Sequence, residues 1–154
     1  MAKYPPITLR VPASLLYRDV AVRSITAVCH LIGGKATDRS SDSLDLQRTF
    51  DGEFVSAFSE IFNNIAIHAY GGSDEGEISL TMTPSSDQLL VEITDTGSTF
   101  DIDSVPPPPV DDLPEGGMGI HIARACLDEL KYEPGPPNVW RLTKSFPKNE
   151  EQEE

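Results

Sequence analysis

Three polar residues spaced four apart, Glu60, Asn64 and His68, fall in a segment over 51–70 whose apolar residues recur with helical period. Four-residue steps keep helical side chains within about 80° of one another, so a carboxylate, an amide and an imidazole stand in one line along the edge of the apolar face. Such groups can move a proton or hold a ligand. A polar line beside a core face is equally what an ordinary helix flank presents.

Two further clusters lie downstream. Asp95 ends a predicted strand and is followed by Thr96, Gly97, Ser98, Thr99, Phe100 and Asp101. An aspartate just past a strand is a common turn former. Its functional reading is a carboxylate that accepts the exocyclic amine of adenine, with Gly97 letting the backbone pass close to the base. Glu115, Gly116, Gly117, Met118, Gly119 and Ile120 then open another predicted helix. Unpaired amides at a helix N-terminus, aided by the dipole, favour phosphate, although glycine-rich loops also serve as flexible joints. No Gly-Lys-Ser/Thr follows, so this is not a Walker loop. His30, His68, His121, Cys29 and Cys126 have no spacing suited to zinc.

The elements that must position these groups are legible from periodicity. Ile7, Leu9 and Val11 alternate with polar residues as a short strand that Pro12 interrupts. Over 14–32 the period is helical, with Leu16, Val20, Ala27 and Leu31 on the apolar side, Asp19, Arg23 and a solvated His30 on the other, and Gly33 and Gly34 as the stop. Residues 35–49, rich in Ser, Asp and Thr, read as a connecting loop. In the central helix, over 51–70, Phe54, Phe58, Ile61, Phe62, Ile65 and Ala69 form one broad stripe, and Gly71 and Gly72 end it. Strands at 78–82 and 89–94 should pair as an antiparallel hairpin. Four prolines at 106–109 make residues 100–118 an extended, semi-rigid loop. A third helix is expected over 119–130, then a hairpin around 134–138 and a strand over 139–146. The order predicts an α+β fold, a two-layer α/β sandwich with a mainly antiparallel, mixed sheet and helices on one face.

At 154 residues, one domain over 1–147 is the expected organisation, with 148–154 an acidic, solvated tail. A formal net charge of -13 opposes an unspecific grip on a phosphate backbone, so no direct nucleic-acid partner is expected. Two distant cysteines in apolar stretches read as buried thiols in a reducing compartment. The first residues have no apolar run of signal-peptide length and no stretch reaches the ~20 apolar residues of a membrane span, which predicts a soluble, cytoplasmic protein.

Taken in order, SEIFNNIAIHAY at 59–70, DTGSTFD at 95–101 and GGMGIHIA at 116–123 resemble the N-box and the two glycine boxes of GHKL (Bergerat-type) ATPases. Within that superfamily the chain is most similar to the bacterial anti-sigma-factor serine/threonine kinases of partner-switching systems. The likeness runs from LRVPASLLYRDV to WRLTKSF, excluding 35–49 and the tail. The resemblance implies ATP and Mg2+ as cofactors, with Glu60 as the general base that activates a Ser or Thr hydroxyl of a partner protein. It implies Asn64 as the Mg2+ ligand, His68 near the nucleotide and Asp95 reading adenine. Gly97, Gly117, Met118, Gly119 and Ile120 would line the base and phosphates. It further implies an antagonist protein as substrate, a sigma factor as sequestered partner, and a homodimer. The alternative is a nucleotide-gated binding module without useful catalysis. The catalytic half of a histidine kinase fits less well, because no phosphoacceptor-histidine helix pair precedes the domain.

Two departures from the family pattern stand out. Thr99 occupies a place where the first box usually has a second glycine, and a β-branched residue takes positive φ only at a cost, so the loop must run another way or the base pack differently, and weaker ATP binding is expected. Residues 100–118 contain five carboxylates and no Lys or Arg, so a lid here repels a triphosphate unless it stays open. A cation must come from Arg141 or Lys144 on the last strand or from the partner; for those two side chains an exposed strand edge is the plainer reading.

Overall fold

The computed structural model describes residues 4–33, 41–71, 75–107 and 118–147. Period-two alternation becomes five strands: β1 (Ile7–Pro12), β2 (Glu77–Pro84), β3 (Gln88–Asp95), β4 (Glu129–Glu133) and β5 (Asn138–Ser145). They form one sheet in the order β1-β2-β3-β5-β4, and every pairing is antiparallel. Ile78, Leu80 and Met82 of β2, Leu89, Val91 and Ile93 of β3, and Trp140 and Leu142 of β5 are buried on one face. The predicted hairpin is β2–β3, in register from Pro84 opposite Leu89 to Ser79 opposite Thr94. Pro12 closes β1 rather than cutting it short, since an edge strand tolerates a missing ladder donor.

Among the described residues three α-helices cover the apolar face: α1 (Arg18–Gly33), α2 (Ser41–Asn64) and α3 (Gly119–Cys126). Phe54, Phe58, Ile61, Phe62 and Ile65 are all buried, so the stripe read from the sequence is the core of the molecule. This is the α+β two-layer arrangement expected. No helix among the described residues is long and apolar enough to cross a membrane.

Several local expectations are corrected. The segment expected as a loop over 35–49 is helical from Ser41 onward. The Ser and Asp residues that mark a loop also favour the first turn of a helix, where carboxylates meet the positive end of the dipole. The helix expected from residue 14 starts as a short 3-10 turn, Leu15–Tyr17, capped by the Ser14 hydroxyl accepting from Leu16 N–H. In α1 the buried face is Ala21, Ile25, Val28 and Cys29, whereas Leu16, Val20, Ala27 and Leu31 are exposed, Leu16 by 79%. Both faces carry small and β-branched residues, so packing against α2 decides which is covered. His30 is not simply solvated: its Nε2 lies 2.6 Å from Asp51 Oδ2, joining α1 to α2.

The third helix ends at Cys126 rather than near Leu130, because Glu129 and Leu130 are taken into β4 opposite Thr143 and Leu142. Lys144 Nζ donates to the Cys126 carbonyl at 2.7 Å, satisfying one of the orphan acceptors at that helix end. Asp128 accepts from Ser145 N–H at 2.7 Å, and that bond holds its carboxyl below the usual range. The proline-rich stretch is irregular over 100–107 apart from a 3-10 turn, Ile102–Ser104, and the rest of the expected lid lies outside the described residues.

Candidate functional site

After Asn64, α2 widens into a π-helical turn, Ile65–Ala69, which Gly71 terminates at φ +60. Such turns recur at functional sites because they redirect side chains and free backbone acceptors. Here the Ala69 carbonyl accepts the Ser98 N–H, fastening the end of the central helix to the loop that follows β3. The same approach explains Gly97. A β-carbon there would collide with the Ala69 carbonyl, so the glycine is demanded by packing against the π turn. Its φ is not positive, and neither is that of Thr99; the loop runs without any left-handed residue, which removes the conformational difficulty expected of Thr99.

A half-open pocket lies where these elements meet, lined by Asn64, Ile65, His68, Ala69, Asp95, Ser98, Thr99, Phe100, Tyr132 and Trp140. Asn64, His68 and Asp95, drawn from the helix and from the end of β3, are thus brought to one cavity. Asp95 is 3% exposed and its Oδ1 accepts from Gly97 N–H and from Asn138 Nδ2, each at 2.9 Å. Asn64 lines the cavity and makes no side-chain capping bond. Tyr70 braces the loop from the other side, its hydroxyl accepting from Thr96 N–H at 2.9 Å and donating to the Glu77 carbonyl at 2.8 Å.

Glu60 stands one helical turn before Asn64 and outside the pocket lining. Its Oε2 lies against Gly119, the first residue of α3: a β-carbon on Gly119 would be 2.8 Å away. Met118 is the N-cap residue of α3 and half-buried, while Ile120 is buried at 3% exposure and packs into the core rather than lining the cavity. Gly117, with Glu115 and Gly116, lies outside the described residues. His121, also in the second glycine box, is 2.7 Å through Nε2 from the Pro106 carbonyl, joining α3 to the start of the proline-rich stretch.

The two cations considered on the last strand are engaged elsewhere. Arg141 pairs with Glu133 at 2.9 Å and Glu92 at 3.7 Å, on the sheet face turned away from the helices. Lys144 pairs with Glu53 at 2.8 Å beneath α2 and sits 5.9 Å from the Phe50 ring centroid. Neither lines the pocket.

Sequence reasoning did not single out Asn138 or the aromatic floor. Trp140 and Tyr132 are cross-strand partners in β5 and β4 with ring centroids 4.3 Å apart, and Phe100 joins them at 5.7 Å from Trp140. The Tyr132 hydroxyl accepts the Phe100 N–H at 2.8 Å, anchoring the loop over the ring cluster. The available signal was the tryptophan itself, set at an inward position of an alternating strand.

An apolar floor, a buried carboxylate acceptor and a nearby helix N-terminus together suit a flat heterocycle bearing an amine and an anionic tail. The sequence profile of the histidine kinase-like ATPase domain matches residues 12–144. Curated relatives include serine-protein kinase RsbW of Oceanobacillus iheyensis, 29% identical over 139 residues that cover 85% of this chain and 80% of the relative. The RsbW of Bacillus subtilis is 33% identical over 85 residues, 50% of this chain and 53% of the relative. The match extends from the end of β1 to the last strand and includes every element around the pocket, so this chain belongs to the histidine kinase-like ATPase domain family, whose fold implies ATP binding.

Proposed function

We propose that the protein is an ATP-dependent serine/threonine protein kinase that phosphorylates an antagonist protein and thereby changes its hold on a regulatory partner, a sigma factor. The observation that carries this reading is the convergence of Asn64, His68 and Asp95 on one pocket, with the Glu60 carboxylate one turn along the same helix and against the first residue of α3. In this reading Asp95 holds the amine of adenine, the aromatic floor supports the base, and the amides opening α3 face the phosphates. Glu60 takes the proton of the attacking hydroxyl. Names of the relatives support the kinase assignment.

Mg2+ fits the donor set. Asn64 offers a neutral oxygen on the cavity wall, and among the described residues no cluster of three or more His, Cys, Asp or Glu forms a protein cage. Mg2+ keeps several waters and takes further oxygens from substrate phosphates, so it needs few protein ligands. When bound, it supplies charge neutralisation at the transferring phosphoryl group.

A homodimer is part of the proposal. Leu15, Leu16 and Tyr17 of the 3-10 turn and Val20 of α1 are exposed large apolar side chains, and β1, with Ile7 exposed, is an edge strand. A second copy would cover both features.

The test is phosphotransfer from Mg-ATP to the cognate antagonist, in wild type and Glu60→Gln. Transfer that Glu60→Gln abolishes supports the kinase. A nucleotide-gated module without catalysis is favoured by one finding: Arg141 and Lys144 are both committed to ion pairs away from the pocket. Nucleotide-dependent partner binding with no phosphoprotein formed would establish that second reading.

A further inference from the structure

Asn138 is, with Asp95, one of the two buried polar or charged residues of the molecule's described part, at 1% exposure. It is the first residue of β5 and stands directly opposite Asp95 in the β3–β5 register. Its side chain makes four hydrogen bonds. Nδ2 donates to Asp95 Oδ1 at 2.9 Å, to the Gly97 carbonyl at 2.9 Å and, more weakly, to the Ser98 carbonyl at 3.4 Å. Oδ1 accepts from Gly135 N–H at 2.9 Å. The amide orientation is fixed by chemistry: three oxygens surround one end and an N–H meets the other, so a flipped amide would set oxygen against a carboxylate.

We infer that Asn138 is a positioning residue that makes Asp95 a one-oxygen reader of the purine amino group. The inference rests on the reading of this pocket as a nucleotide site. Two donors, Asn138 Nδ2 and Gly97 N–H, converge on Asp95 Oδ1, while Oδ2 accepts nothing from the described residues. Oδ1 is thereby occupied, and Oδ2 is the acceptor presented to a ligand in the cavity. The same amide binds the Gly97 and Ser98 carbonyls. It therefore pins the loop carrying Thr99 by side-chain bonds, in a stretch that has no left-handed residue to set its course. Orienting the carboxylate and routing the loop are one task performed by one side chain. A buried acceptor that must find a donor discriminates strongly against a base with a carbonyl in place of the amine, because oxygen would then face oxygen.

The experiment is calorimetry of ATP and of inosine triphosphate, which carries a 6-oxo group, on wild type, Asn138→Asp and Asn138→Thr. Asn138→Asp keeps the shape and the acceptor for Gly135 but removes both N–H donors. Asn138→Thr retains one donor for Asp95. The expected result is a wild-type preference for ATP that falls about tenfold or more in Asn138→Asp and stays within about threefold in Asn138→Thr. A purely structural role would weaken both nucleotides equally and leave the ratio intact; that outcome, or Thr losing as much preference as Asp, overturns the inference. If Asn138→Asp shows no cooperative melt, Asn138→Leu, of similar size and without a donor, takes its place: a fall of about tenfold or more in the ratio supports the inference and an intact ratio overturns it. Wild type that binds neither nucleotide defeats the nucleotide-site reading itself, and wild type that binds both equally defeats only the role given to Asn138 and Asp95.

Discussion

Glu60 Oε2 occupies the space in which a side chain on Gly119 would begin, at 2.8 Å from the position of its first carbon. The glycine that opens α3 therefore has a steric duty toward the carboxylate on α2 as well as offering an amide at a helix N-terminus. Replacing Gly119 by Ala forces the Glu60 carboxylate to move by a rotamer change, since the atom that the added methyl meets most closely is the flexible end of that side chain. Phosphotransfer to the antagonist should fall by about tenfold or more in Gly119→Ala, with ATP affinity changed by less than about threefold. Equal losses in both quantities would show that the glycine serves only the phosphates.

Asp95→Ala removes the acceptor that the pocket offers a base. Hydrogen bonds to a charged group contribute roughly 1.5–3 kcal/mol, so ATP should bind about ten- to a hundredfold more weakly by calorimetry. The variant also leaves the Asn138 amide short of one acceptor in a buried place, and its melting temperature should drop. Unchanged ATP affinity would remove Asp95 from the site.

Lys144 is a structural cation. It caps α3 at the Cys126 carbonyl and pairs with Glu53 while largely shielded from solvent. Lys144→Met should cost about 1–2 kcal/mol in chemical denaturation and leave ATP affinity within about twofold. A selective loss of phosphotransfer with no loss of stability would return Lys144 to the list of catalytic candidates.

Leu16→Glu probes the face that α1 leaves uncovered. The side chain is exposed, so the fold should tolerate the charge. Sedimentation should report a dimer for wild type and a monomer for Leu16→Glu at the same concentration. A monomeric wild type would discard the homodimer.

Burial, with the charge of Asp51 added, pushes the Cys29 thiol up from 9.0 to about 12. The folded chain keeps this proton while the unfolded chain releases it above about 9, so the contribution to stability is whole below pH 9.0 and is lost as pH rises toward about 12. Stability measured across that window should decline more steeply in wild type than in Cys29→Ala. Parallel curves would mean that the thiol is not shielded.

What the residues alone determined is local. The stripe from Phe54 to Ile65 and the alternation in β2 and β3 follow from the 3.6- and two-residue periods that backbone sterics impose, and the core was legible from them. Asn64 and Asp95 were likewise legible as candidates from their places at an apolar helix edge and a strand end. Only the tertiary structure decided which of two apolar faces of α1 is buried, because both faces carry small and β-branched residues and contact with α2 covers the one with Ala21, Ile25 and Val28. It alone joined Asp95 to Asn138, 43 residues apart in sequence, and set Trp140 beside Tyr132 and Phe100. Those relations depend on strand register and on the π turn after Asn64, and both are fixed by contacts between elements rather than by any window of neighbouring residues.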